Sequence, residues 1–301
     1  MSAARAHLMD GSVRTGVIRD YVALTKPGIV LWLVITAFAA MVVAGHGIPG
    51  AAITLVTLGG LAMSAGGAHA VNMWFDRDID QLMERTEHRP VPAGRLSPRA
   101  ALLFGIALGS ASLAVMGLLG NWPSAIATAA GYLCYVFVYT IWLKRRTPQN
   151  IVIGGVAGAM PPVAGWLAVS PHLAWPPVLM FLIISLWTPP HFWSLALYRC
   201  EDYRRAGVPM MPAVRGARPT IRASFAYTIL LVAASLALGL SGTVGSVYFL
   251  VAVIAGALFL LVQVALWRDP VRLTLWARRT FLVSLVYIVA LFLAMPVTLR
   301  F

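Results

Sequence analysis

Residues 51–80 read AAITLVTLGGLAMSAGGAHAVNMWFDRDID: a long apolar run free of Lys, Arg, Asp and Glu that closes on Asp76, Arg77, Asp78 and Asp80. A hydrocarbon core ~30 Å thick is crossed by about 20 apolar residues at ~1.5 Å rise each. The stretch therefore predicts a membrane-spanning helix. If that helix runs unbroken to Asp80 it is ~45 Å long, and its last turns stand beyond the hydrocarbon at one rim of the bilayer. A barrel strand is excluded, because the run is too long and does not alternate.

The rest of the chain repeats this pattern. Of 301 residues, 60% are hydrophobic and 11% charged, against roughly 25% charged in a soluble domain. Apolar runs fall at approximately 28–45, 51–71, 98–119, 122–143, 150–169, 173–196, 223–240, 245–266 and 280–298. The expected fold is an all-α integral membrane protein, nine transmembrane helices bundled around a central cavity. A polar tail, 1–27, precedes a single domain, 28–301. The tail lacks the apolar segment and cleavage site of a signal peptide. Cys134 and Cys200 lie far apart in or beside apolar runs and are expected to be ordinary small side chains rather than a disulfide framework.

Connections between runs alternate in character. Those near 45–50, 120–121, 170–172 and 241–245 are short and carry no Lys, Arg, Asp or Glu, whereas the others are long and charged. Of 23 Lys and Arg, 22 fall on one side, Arg300 being the exception. By the positive-inside rule that side is cytoplasmic, with the N-terminus inside and the C-terminus outside. The net charge of +13 is thus topological, and nucleic acid is not an expected partner. The ten acidic residues share that side, which orientation alone does not explain, since acids contribute little to it. Chemistry is expected on the crowded face.

Two acidic clusters carry the expectation. On a helix Asn72, Asp76 and Asp80 fall within about 80° of each other, with His69 on the same stripe and Asp78 turned away. Oxygen-bearing side chains at that spacing suit Mg²⁺, which takes one or two carboxylates and leaves positions for water and phosphate oxygens; a solvated helix end has the same spacing. If the sixth helix continues past its span, His191, Tyr198 and Asp202 form a second stripe within about 40°, its last piece started or kinked at Pro189 and Pro190. His191 within a span is a functional candidate by default, whereas Tyr198 also suits an interfacial aromatic belt. Between the clusters lie Arg85, Arg89 and Arg95, and Lys144, Arg145 and Arg146 below Tyr132, Tyr135 and Tyr139, which an α-helix places on one face at i, i+3, i+7. Each basic run also satisfies simple topology. Arginine forks match phosphate oxygens, so acids and cations together suit a Mg²⁺–diphosphate head. An apolar chamber lined by Trp74, Phe75, Phe192, Trp193 and tyrosines would hold an isoprenyl tail, stabilising an allylic cation on aromatic faces and keeping water away. This reading reaches an intramembrane prenyl transferase and leaves the acceptor open.

The Asn72-xxx-Asp76-xxx-Asp80 pattern and the nine-span plan resemble the UbiA superfamily of intramembrane prenyltransferases. Four stretches resemble its heme O synthase branch: Asp78-Ile-Asp80 through Arg89-Pro90, Tyr139 through Asn150, Trp187-Thr-Pro-Pro-His191-Phe-Trp193, and Asp202-Tyr203 through Met210. The resemblance covers roughly residues 20–300. It implies farnesyl transfer from farnesyl diphosphate to a vinyl group of heme B, with water added, giving heme O. It also implies a bacterial inner-membrane location, with a heme A synthase or a terminal oxidase assembly factor as partner. Carried over, Asn72, Asp76, Asp80 and Asp202 match metal–diphosphate ligands, and Arg89, Lys144 and Arg145 match diphosphate-binding cations. The second motif departs from the superfamily pattern, with Tyr198 where a carboxylate would stand and Glu201 beside Asp202. His191 is the candidate for heme contact, through iron, a propionate or hydration, with Trp193 beside it. A quinone-precursor or chlorophyllide transferase is the alternative. A transporter fits less well, because the outer connections lack charge and it would want ionisable groups mid-membrane with paths to both faces. A scaffold for oxidase assembly is a third alternative.

Overall fold

The computed structural model describes residues 16–297. Residues 1–15 of the expected tail, and Arg300 with the C-terminus, lie outside the described residues. Nine helices long and apolar enough to span a bilayer are found among the described residues: α1 Pro27–Ala44, α2 Ala51–Phe75, α3 Pro98–Leu119, α4 Trp122–Leu143, α5 Asn150–Val169, α6 Trp175–Tyr198, α7 Ala217–Leu240, α8 Ser246–Arg268 and α9 Leu273–Val297. The largest departures from the apolar runs are α7 and α9, which begin earlier. Their first two turns hold Arg218, Arg222, Arg278 and Arg279, since a helix continues past the hydrocarbon as long as its charged side chains reach water. The tail is also partly structured, residues 16–24 being helical.

Helix starts follow from local chemistry. Ser97 caps α3 by accepting from the Ala100 amide, and Asn121 caps α4 by accepting from that of Ser124; Pro98 and Pro123 occupy first-turn positions. Such positions have no intrahelical partner for the amide. Asn121 also donates 3.0 and 2.9 Å bonds to the Leu167 and Ala168 carbonyls that end α5.

Consecutive helices pack against one another, and α9 returns to α1, closing the ring. Helix α5 is the most enclosed span, packing on α1, α4 and α6, and its composition permits it. A methyl group on Gly165 would sit 2.2 Å from the Ala37 carbonyl oxygen of α1, and one on Gly155 about 2.9 Å from Thr188 of α6. Lipid tails are as apolar as the helices, so close packing of small residues supplies the association energy. Ser112 on α3 adds a 2.6 Å bond to the Gly60 carbonyl of α2, and Ser124 on α4 a 2.8 Å bond to the Ala164 carbonyl of α5.

The same close approach fixes the height of α2, which carries the first acidic cluster. A methyl on Gly67 would meet the Gly105 carbonyl oxygen at 2.6 Å, and one on Gly105 would meet that of Gly67 at 2.7 Å. The Gly105→Val variant is expected to lose about 1–3 kcal/mol through overpacking. Its melting temperature in detergent should fall below that of a lipid-facing control, Leu103→Val.

Candidate active site

The long second helix is not continuous. It ends at Phe75, Asp76 takes a non-helical conformation (φ −86°, ψ 5°), and a separate turn spans Arg77–Asp80. Even so Asn72, Asp76 and Asp80 are all buried, at 2%, 0% and 1% exposure. Three stripe residues on a solvated helix end would be wet. These are instead enclosed by cations brought from three other segments.

Asn72 donates a 2.6 Å bond to Asp76 Oδ2 and a 3.2 Å bond to Thr140 Oγ1. Lys144 Nζ pairs with the same Asp76 oxygen. Arg145 reaches Asp78 through two 2.7 Å bonds, stands 3.7 Å from Asp76 Oδ1 and caps the Phe75 carbonyl at 2.9 Å. That fork holds the Asp78 carboxyl below its usual range and raises the guanidinium in turn. Arg89 pairs with Asp80 Oδ2 at 2.6 Å. A fourth cation was not foreseen: Lys26 Nζ donates 3.1 Å to Asn72 Oδ1. It sits in the left-handed region (φ 52°, ψ 63°) just before Pro27, a strained conformation for a side-chain-bearing residue that turns it toward the site. Desolvation, with Arg89 and Lys144 nearby, pulls Lys26 down to about 7. In the sequence it reads as one more topological charge at a span's start, which is why nothing marked it.

Tyr132, Tyr135 and Tyr139 do not share one face as an α-helical count requires. Residues Cys134–Leu143 of α4 form a π-helix, with the Lys144 amide bonded 2.9 Å to the Tyr139 carbonyl. These wider i→i+5 turns occur mostly at functional sites. Tyr132 turns to the Gly105 carbonyl at 3.1 Å. Tyr135 and Tyr139 pack together, ring centroids 5.4 Å apart, and Tyr135 meets His69 edge to face at 5.4 Å. The same turn places Thr140 on Asn72 and Lys144 on Asp76.

The second cluster is likewise broken. Helix α6 runs through Pro189 and Pro190 without interruption and ends at Tyr198; Arg199 (φ −114°, ψ 25°) separates it from a short helix, Cys200–Arg205. His191, Tyr198 and Asp202 therefore do not form one stripe. Tyr198 packs edge to face on Phe281 of α9, and Glu201 is exposed beside Arg204. Asp202 is largely buried and 3.7 Å from Arg199, which stands 3.6 Å from Glu84 of the first loop. Ile79 and Met83 share one apolar cluster with Ala196, Tyr203, Val208 and Met210. The two acidic loops thus close on each other at one end of the bundle.

Other expected lining residues lie elsewhere. Trp193 is 1% exposed and meets Tyr227 of α7 edge to face at 5.6 Å; its position on α6 points it between helices. Trp74 and Phe75 carry Arg77 and Arg145 over their rings at 5.7 and 4.7 Å. Phe192 packs on the cluster joining the loops. His191 is stacked between Trp187 and Phe281, centroids 4.2 and 4.5 Å away, and its Nδ1 lies 2.7 Å from Ser284 Oγ. Ser284 gives its own proton to the Phe281 carbonyl at 2.6 Å, so His191 Nδ1 is the donor and Nε2 keeps its lone pair.

The donors fit a hard divalent cation. Asp76 Oδ1 is sealed from solvent and accepts no hydrogen bond among the described residues, an orphan acceptor in the Asn72-Asp76-Asp80 cluster. Among the described residues no three His, Cys, Asp or Glu side chains form a self-sufficient cage. Mg²⁺ needs none, since waters and phosphate oxygens complete its shell.

Comparison with known proteins agrees. The UbiA prenyltransferase family model matches residues 33–295. A protein of Symbiobacterium thermophilum named protoheme IX farnesyltransferase is 52% identical over 292 residues, covering 97% of this chain and 96% of that one. Two solved structures share the fold at 18% identity. A study of digeranylgeranylglyceryl phosphate synthase in membranes gives TM-score 0.79 over 93% of this chain and 98% of that one. A UbiA homologue from Archaeoglobus fulgidus bound to GPP and Mg²⁺ gives 0.66 over 92% and 99%. With its nine spans, its buried Asn72-Asp76-Asp80 cluster and a family match over most of its length, the chain belongs to the UbiA prenyltransferase family.

Proposed function

We propose that this chain, as a Mg²⁺-dependent enzyme, transfers a farnesyl group from farnesyl diphosphate to a vinyl group of heme B, with addition of water, giving heme O. The observation that carries the transfer chemistry is the collar of Lys26, Arg89, Lys144 and Arg145 around three buried oxygen-bearing side chains at the rim of an apolar bundle. The 52% identity over nearly the whole of a protein named protoheme IX farnesyltransferase carries the acceptor. In this reading a polar segment, 1–27, whose Lys26 joins the collar, precedes one transferase unit, 28–301, in the bacterial inner membrane with the collar facing the cytoplasm.

Asn72, Asp76 and Asp80 would hold the metal, with Asp202 across the cleft. The chemistry the metal supplies is neutralisation of charge on the departing diphosphate. The four cations bind and orient the diphosphate oxygens, adding preorganised charge where negative charge grows. Tyr135 and Tyr139 offer ring faces to the allylic cation, and the enclosing helices keep bulk water from it. His191 belongs to the acceptor side. A bare Nε2 suits a heme iron, whereas a propionate oxygen would need a donor there. Ring and tautomer are held by Trp187, Phe281 and Ser284. Glu201 and Tyr198 flank the site without forming part of the metal cluster, and a heme A synthase or an oxidase assembly factor is the partner for product release.

Heme extracted from membranes with and without the chain tests the reaction directly: mass spectrometry should find a hydroxyethylfarnesyl adduct with it alone, and Mg²⁺ chelation should abolish it. A prenylated aromatic acid in place of that adduct would move the assignment to the quinone branch. Asp76→Asn keeps the side chain's shape but removes the charge facing Lys144, and pyrophosphate release is expected to fall about 10²–10³-fold. His191→Ala should weaken heme B binding and shift its absorption spectrum; an unchanged spectrum removes the axial role.

A further inference from the structure

His69 lies six residues before the end of α2, ~9 Å below it, and one turn deeper than Asn72 on the same face. Its Nδ1 is 3.0 Å from the Thr25 carbonyl oxygen. A carbonyl only accepts, so Nδ1 carries the proton and Nε2 a lone pair. Thr25 immediately precedes Lys26, so the strained turn that sends Lys26 to Asn72 also fixes this ring. Tyr135 closes one side at 86°. The ring is 5% exposed, and among the described residues its hydrogen bond runs through Nδ1.

The prenyl carbon being transferred must sit just beyond the diphosphate, one step deeper than Asn72 and Asp76. That is the depth of His69. We propose that His69 Nε2 is the base that takes the proton of the water ending the reaction. The inference rests on the heme-prenylation reading above. The C1–oxygen bond of the prenyl diphosphate breaks, its electron pair leaving with diphosphate. The outer vinyl carbon uses the π pair to bond to prenyl C1, which leaves the inner vinyl carbon electron-poor. Water oxygen bonds to that inner carbon, and the proton it sheds passes to Nε2, giving imidazolium. The neighbouring acids and phenols do not serve. Asp76 and Asp80 are paired with Lys144 and Arg89 at the rim, and the Tyr135 and Tyr139 phenols hold their protons at neutral pH. Without a base on the water, the cation sheds a proton from its neighbouring carbon instead and yields an alkene.

The test reads product composition rather than rate. Wild type should give the hydroxylated adduct. His69→Gln should cut the hydroxylated fraction at least about tenfold in favour of a product lighter by one water, while pyrophosphate release falls far less, because carbon–oxygen cleavage comes first. General bases contribute typically 10²–10⁴-fold. Added imidazole should restore the hydroxylated fraction in His69→Ala. In wild type, deuterated water should raise the share of the lighter product, a readout that needs no folded variant. An unchanged hydroxylated fraction in His69→Gln, or a product ratio indifferent to deuterated water, overturns the proposal. Absence of any farnesylated heme from wild type would instead overturn the reading on which it rests.

Discussion

The structure depends on enclosing a carboxylate among cations where no water reaches it. Asp76 is fully buried, and an isolated charge moved out of water is penalised by several kcal/mol even after relaxation. Lys144 on one oxygen, the Asn72 amide on the same oxygen and Arg145 beyond the other supply the compensation. Removing one partner of such a group generally costs about 3–5 kcal/mol, because the other is left uncompensated. In the proposed reaction the same charges would have a second use. A diphosphate with its metal presents both signs at once, so under that proposal the cations that stabilise the acids in the free protein would also meet the incoming anion.

Arranging those charges requires irregular backbone, and the chain concentrates irregularity at this end of the bundle. A helix break at Asp76, a second at Arg199, a π-helical stretch from Cys134 and a left-handed Lys26 all lie within the same region. Inside a bilayer such departures are tolerated only where protein or a polar cavity re-satisfies the freed backbone groups. Arg145 capping the Phe75 carbonyl is one such repair, and Asn150 donating to the Lys144 carbonyl at 3.3 Å is another. The opposite end, by contrast, closes with short turns that carry no Lys, Arg, Asp or Glu.

Hydrophobic content legislates strongly in a membrane, and that is why the nine spans, their alternation with charged loops and the crowding of both signs on one face could be read without coordinates. The residue types of the site were legible as well. Asn72, Asp76, Asp80, Arg89, Lys144 and Arg145 do meet, because loops at the same end of a closed ring have few places to go. Reading failed where it assumed that helical periodicity continues. It gave Tyr132 and Tyr139 one face and aligned Tyr198 with Asp202 by counting 100° through segments that widen or break, and it placed Trp193 in the chamber although that side chain packs on Tyr227 of α7.

The amino-acid sequence alone therefore determined the solvent, the number of crossings and the class of ligand, since these follow from transfer energies and charge that each residue carries with it. Tertiary structure decided which acid is sealed, that Lys26 joins the collar, and which nitrogens of His69 and His191 keep a lone pair. Those properties belong to distances between segments far apart in the chain, and no local rule encodes a distance that only packing sets.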